Sequence, residues 1–215
     1  MPPTVQISEA NPADFAETLA RLEADIFNDD PICCYGFGPD RGSPDKLAKR
    51  AEELREISDD CRIRMNKAVT SDGAVVGASY WKFFPESWDA LAGDKGSDSK
   101  WPEGANVELC EAVFGASDEN RKRTMTGKAY ALCNIMVVVP EYQRMGIGTM
   151  LMKDALKVVD EAGMPAWLGA SEKGLGLYLK SDFRVDQVIE IDMTKYGGNT
   201  IEKQTCMIRP ARRSS

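Results

Sequence analysis

The sequence has no histidine in 215 residues, and this absence excludes several kinds of catalytic site. Without an imidazole, the chain alone cannot form a Ser-His-Asp triad, a Cys-His dyad, a histidine general base or a histidine-liganded zinc site. Long apolar runs are missing too. The longest, residues 135–139, is far shorter than the roughly 20 residues that span a bilayer, so we expect no membrane segment.

Cys-x-x-Cys spacing is also absent, although the chain has six cysteines. The first ten residues lack the basic and apolar stretches of a secretory signal. We therefore expect a cytoplasmic protein with reduced thiols and no bound metal.

The composition is that of a folded soluble protein. Apolar residues make up 43% and charged residues 28%, and the length is sufficient for one α/β domain with its own core. Lys and Arg number 27 against 34 Asp and Glu, which gives a formal net charge of −7. This balance disfavours a nucleic-acid partner, because phosphate neutralisation needs an excess of basic residues. It mildly favours a cationic amine as ligand.

Hydrophobic periodicity predicts the order β-α-α-β-β, an irregular insertion, then β-α-β-α-β-β. Asn11-Pro12 and Ser43-Pro44 begin the first two helices, residues 28–42 between them read as a loop, and Asp72-Gly73 turns a hairpin. The order predicts an α/β fold with a mixed, mostly antiparallel twisted sheet of about seven strands flanked by about four to five helices. We expect a single domain over residues 1–215, with an insertion at 85–125 and a tail at 210–215.

The stretch most informative about chemistry is residues 135–149, a buried strand that ends at Pro140, then a turn and a helix. The first N–H groups of a helix have no partners within it and carry partial positive charge, so they form an anion site. Gly146 and Gly148 let the backbone approach a pyrophosphate, and Arg144 adds a cation. The alternative is a helix start that binds nothing.

Two other nucleotide motifs fail on spacing. No G-x-x-x-x-G-K-[ST] string is present, which excludes a Walker A loop. The dinucleotide pattern G-x-G-x-x-G fails because Leu151 stands where the third glycine is needed after Gly146 and Gly148. The glycines at 36, 38 and 42 are spaced one residue too far and follow no strand.

Two short motifs stand out in the second half of the chain. Residues 138–148, VVPEYQRMGIG, form a strand ending in V-x-P followed by [Q/R]-x-x-G-x-[G/A]. Residues 177–183, LYLKSDF, follow the pattern L-Y-x-x-x-G-F with Asp182 in place of the glycine. Together these motifs resemble those of the GCN5-related N-acetyltransferases. The specific resemblance covers about residues 130–195, and a fainter one is to small fungal members of the superfamily.

The resemblance implies acetyl-CoA as co-substrate, with direct attack of an amine on the thioester in a ternary complex. The backbone of Met136, Val137 and Val138 would pair with the pantetheine arm, which Ser171 would also contact. Tyr178 would protonate the departing thiolate. The pyrophosphate would lie against Gln143, Arg144, Met145, Gly146, Ile147, Gly148 and Thr149.

The proton acceptor is left open by the sequence. Some members carry a base at the positions of Leu132 and Asn134, but Asn134 can only form hydrogen bonds, and we take it as a catalytic-site residue in that sense. A base would then be Glu108, Glu111 or Asp29, or a water molecule. The amine could instead arrive neutral.

For the acceptor site we expect residues of the irregular segments, since pockets combine aromatic and polar groups, although core packing explains most of these aromatics equally well. The candidates are Tyr35, Phe37, Trp81, Phe84 and Glu111, with Trp88 and Trp101 nearby in sequence. The leading prediction is acetylation of a small-molecule amine by a monomer or homodimer. The alternatives are acetylation of a protein lysine or N-terminus, and a non-catalytic acyl-CoA-binding module.

Overall fold

Seven strands form one sheet in the computed structural model, which describes residues 4–38, 40–85 and 101–212. The strands are β1 (Val5–Ala10), β2 (Ile63–Thr70), β3 (Val75–Phe84), β4 (Tyr130–Val138), β5 (Ala166–Ser171), β6 (Arg184–Asp192) and β7 (Ile201–Arg209). Their order across the sheet is β1-β2-β3-β4-β5-β7-β6. The pair β4–β5 is parallel and the other pairs are antiparallel, which confirms the predicted mixed, mostly antiparallel sheet.

The helices begin where capping residues and prolines predict. They are α1 (Pro12–Ile26), α2 (Pro31–Phe37), α3 (Pro44–Glu56), α4 (Val107–Cys110), α5 (Ala116–Met125), α6 (Ile147–Glu161) and α7 (Glu172–Leu179). A π-helical turn, Glu111–Gly115, joins α4 to α5, and short 3-10 turns cover Pro140–Tyr142 and Met193–Tyr196. None of the helices in the described ranges is long and apolar enough to span a bilayer.

The loop predicted over residues 28–42 is wrong in its centre, where α2 forms. The side chain of Asp30 accepts a hydrogen bond from the N–H of Cys33, and Pro31 occupies the first helical position. This is the same start signal that was read correctly at Asn11-Pro12. The glycines and aromatics that follow obscured it.

A β-bulge in β4 determines where the sheet opens. Tyr80 of β3 lies opposite Ile135 and Trp81 lies opposite Cys133, so Asn134 is an extra residue without an opposite partner in β3. The bulge bends β4 and reverses the alternation of its side chains. Beyond it the two parallel strands diverge, because β4 pairs with β5 only over Ala131–Cys133.

The helices cover both faces of the sheet. Helices α1 and α3 pack on one face around a core that includes Phe15, Leu54 and Tyr80. Helices α6 and α7 pack on the other face, around Trp81 and Met152. The diverging β4 and β5 therefore open between the two helical layers.

Candidate active site

The divergence of β4 and β5 opens a cleft of about 1000 Å³. Predicted site residues from four elements line it: Phe37 of α2, Asn134 and Met136 of β4, Ser171 of β5 and Tyr178 of α7. Helices α1 and α3 and the segment around Phe114 form its other end. The cleft thus joins the predicted coenzyme side of the molecule to the helices on the opposite face.

The turn before α6 leaves the first N–H groups of that helix available. Arg144 and Gly146 have left-handed backbone conformations, with φ of 62° and 86°. Gly146 occupies the N-cap position, and no side chain caps the helix there. The N–H groups of residues 147–149 are therefore free to bind an anion.

Neighbouring contacts fasten this turn. The side chain of Gln143 donates a hydrogen bond of 2.9 Å from Nε2 to the carbonyl of Val138, at the end of β4. A Cβ on Gly148 would approach Leu177 of α7 to 3.2 Å, so this glycine lets the start of α6 lie against α7. The two glycines therefore have different roles: Gly146 permits a left-handed backbone conformation, and Gly148 permits close packing of α6 against α7.

Tyr178 presents a free hydroxyl group to the cleft. Its ring packs across Gly174, where a Cβ would lie 2.9 Å from Cε2, and meets the edge of Phe183 at a centroid distance of 6.1 Å. The side chain is buried, and among the described residues its hydroxyl has no hydrogen-bond partner. Burial raises the pKa of Tyr178, with Cys133 adding to the shift, so the phenol stays protonated.

Ser171 lies at the N-cap position of α7 but makes no capping hydrogen bond. It is half-buried and lines the cleft, so its hydroxyl is available to a ligand. The two predicted coenzyme contacts Met136 and Ser171 therefore lie on the two diverging strands.

Asn134 projects from the bulge and is exposed to the cleft. Burial raises the pKa of the neighbouring Tyr80 to about 12, an effect that the charge of Arg50 and a hydrogen bond with Asn134 oppose. Asn134 thus has a fixed polar neighbour at the point where the sheet opens.

Glu23 is a cleft residue that sequence reasoning missed. Its carboxylate is buried and accepts hydrogen bonds from Arg50, at 2.9 Å from Nε and 3.2 Å from Nη2. A signal was available, because Glu23 follows Leu19 by four residues and so falls on the apolar face of α1.

Of the predicted acceptor residues, the structure brings Phe37 to the cleft. Phe37 stacks on Phe114 with centroids 5.7 Å apart, and Trp101 lies beside Phe114 at 5.9 Å. Trp101 also lines the cleft and donates a hydrogen bond of 2.7 Å to Glu111.

The other four predicted acceptor residues do not line the cleft. Tyr35 is 42% exposed and lies against Gly197 and Gly198 instead. Trp81 is wholly buried in the core, and Phe84 stacks on Tyr130 at 4.7 Å. Glu111 faces Trp101 from outside the cleft lining. Large aromatic side chains in strands bury much apolar surface when they pack in the core, which explains why Trp81 and Phe84 point inward.

The carboxylates considered as general bases do not line the cleft either. Glu108 and Asp29 are exposed and are not part of the cleft lining. Trp88 lies outside the described residues. Within residues 4–38, 40–85 and 101–212, no group of three or more Cys, Asp or Glu side chains is arranged to hold a metal ion.

Residues 71–183, just over half of the chain, match the model of the acetyltransferase (GNAT) family. The chain belongs to the GNAT family. This confirms the superfamily suggested by the two motifs, and with it the prediction of an acetyltransferase whose fold binds acetyl-CoA. A search of curated proteins finds no match.

Solved structures share the fold of this GNAT chain at low sequence identity. One is a structure from Corynebacterium glutamicum described as histone acetyltransferase HPA2 and related acetyltransferase. Its sequence is 20% identical to this chain, and the two superpose with a TM-score of 0.60 over 100% of this chain and 99% of that one. Arabidopsis thaliana NAA60 in complex with acetyl-CoA is 14% identical, with a TM-score of 0.55 over 95% and 97%. Mosquito arylalkylamine N-acetyltransferase like 5b is 12% identical, with a TM-score of 0.65 over 96% and 99%.

Proposed function

We propose that this GNAT protein transfers the acetyl group of acetyl-CoA to a primary amine of a small molecule, with both substrates bound together. One observation carries the proposal: the open edge of β4 and Tyr178 line one cleft, and the start of α6 lies against the end of β4 and against α7. We further propose that residues 1–215 act as one cytoplasmic domain, as a monomer or homodimer, and are most like small fungal members.

The coenzyme half is formed by backbone groups. The diverging edge of β4 leaves Met136, Val137 and Val138 without a partner strand on the β5 side, which suits pairing with the amide groups of pantetheine. The uncapped N–H groups at residues 147–149 suit the pyrophosphate, and Ser171 faces the same cleft. When bound there, acetyl-CoA supplies an activated acetyl thioester.

Tyr178 is the proton donor in this proposal. A phenol with a raised pKa stays neutral across the working pH range and can donate a proton to a departing thiolate sulfur. Asn134 would hydrogen-bond the acceptor beside the reacting carbonyl, which is a positioning contribution.

The acceptor enters as the free amine. Glu23 is the buried carboxylate at that end of the cleft, and both of its oxygens already accept hydrogen bonds from Arg50. Both oxygens are therefore turned toward Arg50 rather than toward an incoming amine. The proton released from nitrogen therefore passes to water.

A small acceptor suits the aromatic end of the cleft. Phe114 packs against both Phe37 and Trp101 there, and α1 and α3 line the same cleft. An aromatic lining of this kind suits a compact amine better than an extended peptide.

Thiol release from acetyl-CoA across a panel of small amines, amino acids and short peptides tests the proposal. We expect release with small primary amines and little with peptides. Preference for peptides would favour acetylation of a protein lysine or N-terminus. Acetyl-CoA binding with no release for any acceptor would favour the non-catalytic module.

A further inference from the structure

Arg41 is a cation at the acceptor end of the cleft, and it forms no ion pair with any of the described residues. Its guanidinium lies over the ring of Phe37, 5.5 Å from the centroid, and near that of Phe27 at 6.0 Å. The side chain lines the cleft, and its Nη1 is buried without any hydrogen-bond acceptor. A buried donor left unsatisfied costs stability, so the position favours a ligand that can accept hydrogen bonds.

The nearby carboxylates are already engaged elsewhere. Asp40 pairs with Lys46 at 2.5 Å, and Asp30 accepts a hydrogen bond from the N–H of Cys33. Glu23 is held by Arg50. Among the described residues, none of these acids forms an ion pair with Arg41.

The thiol of Cys33 faces Arg41 but supplies no negative charge. Burial raises the pKa of Cys33 to about 12, and the neighbouring charge of Asp30 adds to the shift. Cys33 is therefore a neutral thiol at physiological pH. Cys33 thus gives Arg41 no counter-charge.

The aromatic contacts orient the guanidinium while leaving its edge free. A ring under the face of a guanidinium holds its plane, and the N–H donors lie in that plane and point away from the ring. A planar carboxylate can accept two such hydrogen bonds side by side. The adjacent cations Lys46 and Arg50 are already paired with Asp40 and Glu23, which leaves Arg41 as a cation without an ion pair among the described residues.

We propose that the acceptor is an amino carboxylate, with its carboxylate bound by Arg41 and its amine directed toward Asn134. This inference rests on the proposed function, since it names the class of acceptor for the same site. A simple amine would leave the buried Nη1 of Arg41 without a hydrogen-bond acceptor, whereas a planar carboxylate matches the in-plane donors of the guanidinium.

Matched acceptors with and without a carboxylate test the proposal. Phenylalanine and phenethylamine form one pair, and alanine and ethylamine form another. We expect the unaltered enzyme to show a higher kcat/KM for the carboxylate member of each pair. Arg41→Gln should lower that value about 10- to 100-fold through KM, because a hydrogen-bonded charge pair is lost. The same variant should change kcat/KM for the simple amines less than about twofold.

Two further variants control this experiment. Arg41→Lys keeps the charge and loses the two-pronged geometry, so it should retain part of the preference. Arg55→Gln removes an exposed arginine of α3 that pairs with Glu17 outside the cleft lining, and it should alter neither acceptor class. An equal loss for both members of a pair in Arg41→Gln would overturn the proposal.

A binding measurement keeps the inference independent of turnover. Calorimetric titration with N-acetylphenylalanine and N-acetylphenethylamine, without coenzyme, should show binding of the carboxylate compound that Arg41→Gln weakens. Equal binding to the two proteins, or binding of inorganic phosphate in preference to either compound, would refute an amino carboxylate acceptor. Absence of thiol release with every acceptor would refute the proposed function, while the titration would still decide the role of Arg41.

Discussion

Tyr178 keeps its hydroxyl on the cleft while its ring is packed in the core. Replacing it with phenylalanine removes the proton donor and preserves the contacts with Gly174 and Phe183. We expect Tyr178→Phe to lower kcat about 100-fold, the range of general acid catalysis, and to leave the Kd of acetyl-CoA unchanged. Thiol-release kinetics and calorimetric titration measure the two quantities.

The matched control removes a hydroxyl that is not part of the cleft lining. Tyr196 lies in the 3-10 turn after β6 and packs against a separate cluster, so Tyr196→Phe should retain full kcat. If Tyr178→Phe also retained full kcat, Tyr178 would not be the acid. A parallel loss of acetyl-CoA affinity would indicate a packing role instead.

Glu23 and Glu17 form two ion pairs between α1 and α3 that differ in burial. The side chain of Glu23 is 8% exposed in its pair with Arg50, whereas Glu17 is 79% exposed in its pair with Arg55. Glu23→Ala removes the buried partner of Arg50 and leaves only its pair with the exposed Glu53, so it should lower the free energy of unfolding by about 1–3 kcal/mol. Glu17→Ala should cost less than about 0.5 kcal/mol, because exposed pairs contribute little. Urea denaturation measures the free energy of unfolding of both variants. Equal losses would contradict a larger contribution from the buried Glu23–Arg50 pair than from the exposed pair.

At the scale of an element, the start of α6 depends on a glycine in a left-handed conformation. Gly146 has a φ of 86°, and no atom lies within 4 Å of the position a Cβ would take. A β-branched residue is therefore disfavoured by backbone conformation rather than by crowding. We expect Gly146→Val to reorganise the turn and to raise the Kd of acetyl-CoA at least about tenfold. That increase corresponds to a loss of about 1.4 kcal/mol in binding free energy.

Gly73 provides the control for that substitution. It lies in the β2–β3 hairpin turn with a φ of 89° and equally open surroundings. Gly73→Val should carry a similar conformational cost and lower stability, but it should not affect acetyl-CoA binding. An unchanged Kd in Gly146→Val would show that the start of α6 does not hold the pyrophosphate.

Elements with local signals were predictable from the sequence, and features that depend on pairing between distant strands were not. The strands, the hairpin at Asp72-Gly73 and the helix after Gly146 follow from periodicity, turn residues and capping. The bulge at Asn134 depends on the register between β3 and β4, which no local pattern of β4 records. The position of Arg41 over Phe37 likewise depends on how the end of α2 meets α3. The coenzyme side was thus predicted in more detail than the acceptor side.

At the scale of the whole molecule, the absence of histidine shapes how stability responds to pH. Burial raises the pKa of Cys33 and of Tyr80 to about 12 and of Cys110 to about 11. In the unfolded chain thiols ionise near about pH 8.5 and phenols near about pH 10. The unfolded state then loses protons first, so the stability is fully present below about pH 8.5 and is lost as pH rises toward about 12. Between about pH 6 and 7.5 no imidazole titrates, and we expect the free energy of unfolding to stay constant within about 0.5 kcal/mol.

Two cysteine variants check this alkaline decline. Cys33→Ala should remove a loss of about 2 kcal/mol by pH 10, measured by urea denaturation across the pH range. Cys61 is exposed, and Cys61→Ala should leave the decline as it is. A decline that begins below about pH 8 in the unaltered protein would be inconsistent with thiols as its source.

The pH dependence of the reaction should follow the acceptor rather than the enzyme. The chain has no histidine, the phenol of Tyr178 stays protonated, and Glu23 is held by Arg50. If the acceptor enters as a free amine, kcat/KM rises with pH as the amine loses its proton in solution. Two acceptors whose amine pKa values differ by about 2 should therefore give apparent pKa values in kcat/KM that differ by about the same amount. An apparent pKa that is the same for both acceptors would mean that a group on the protein takes the proton, and its loss in Glu23→Gln would identify Glu23 as that group.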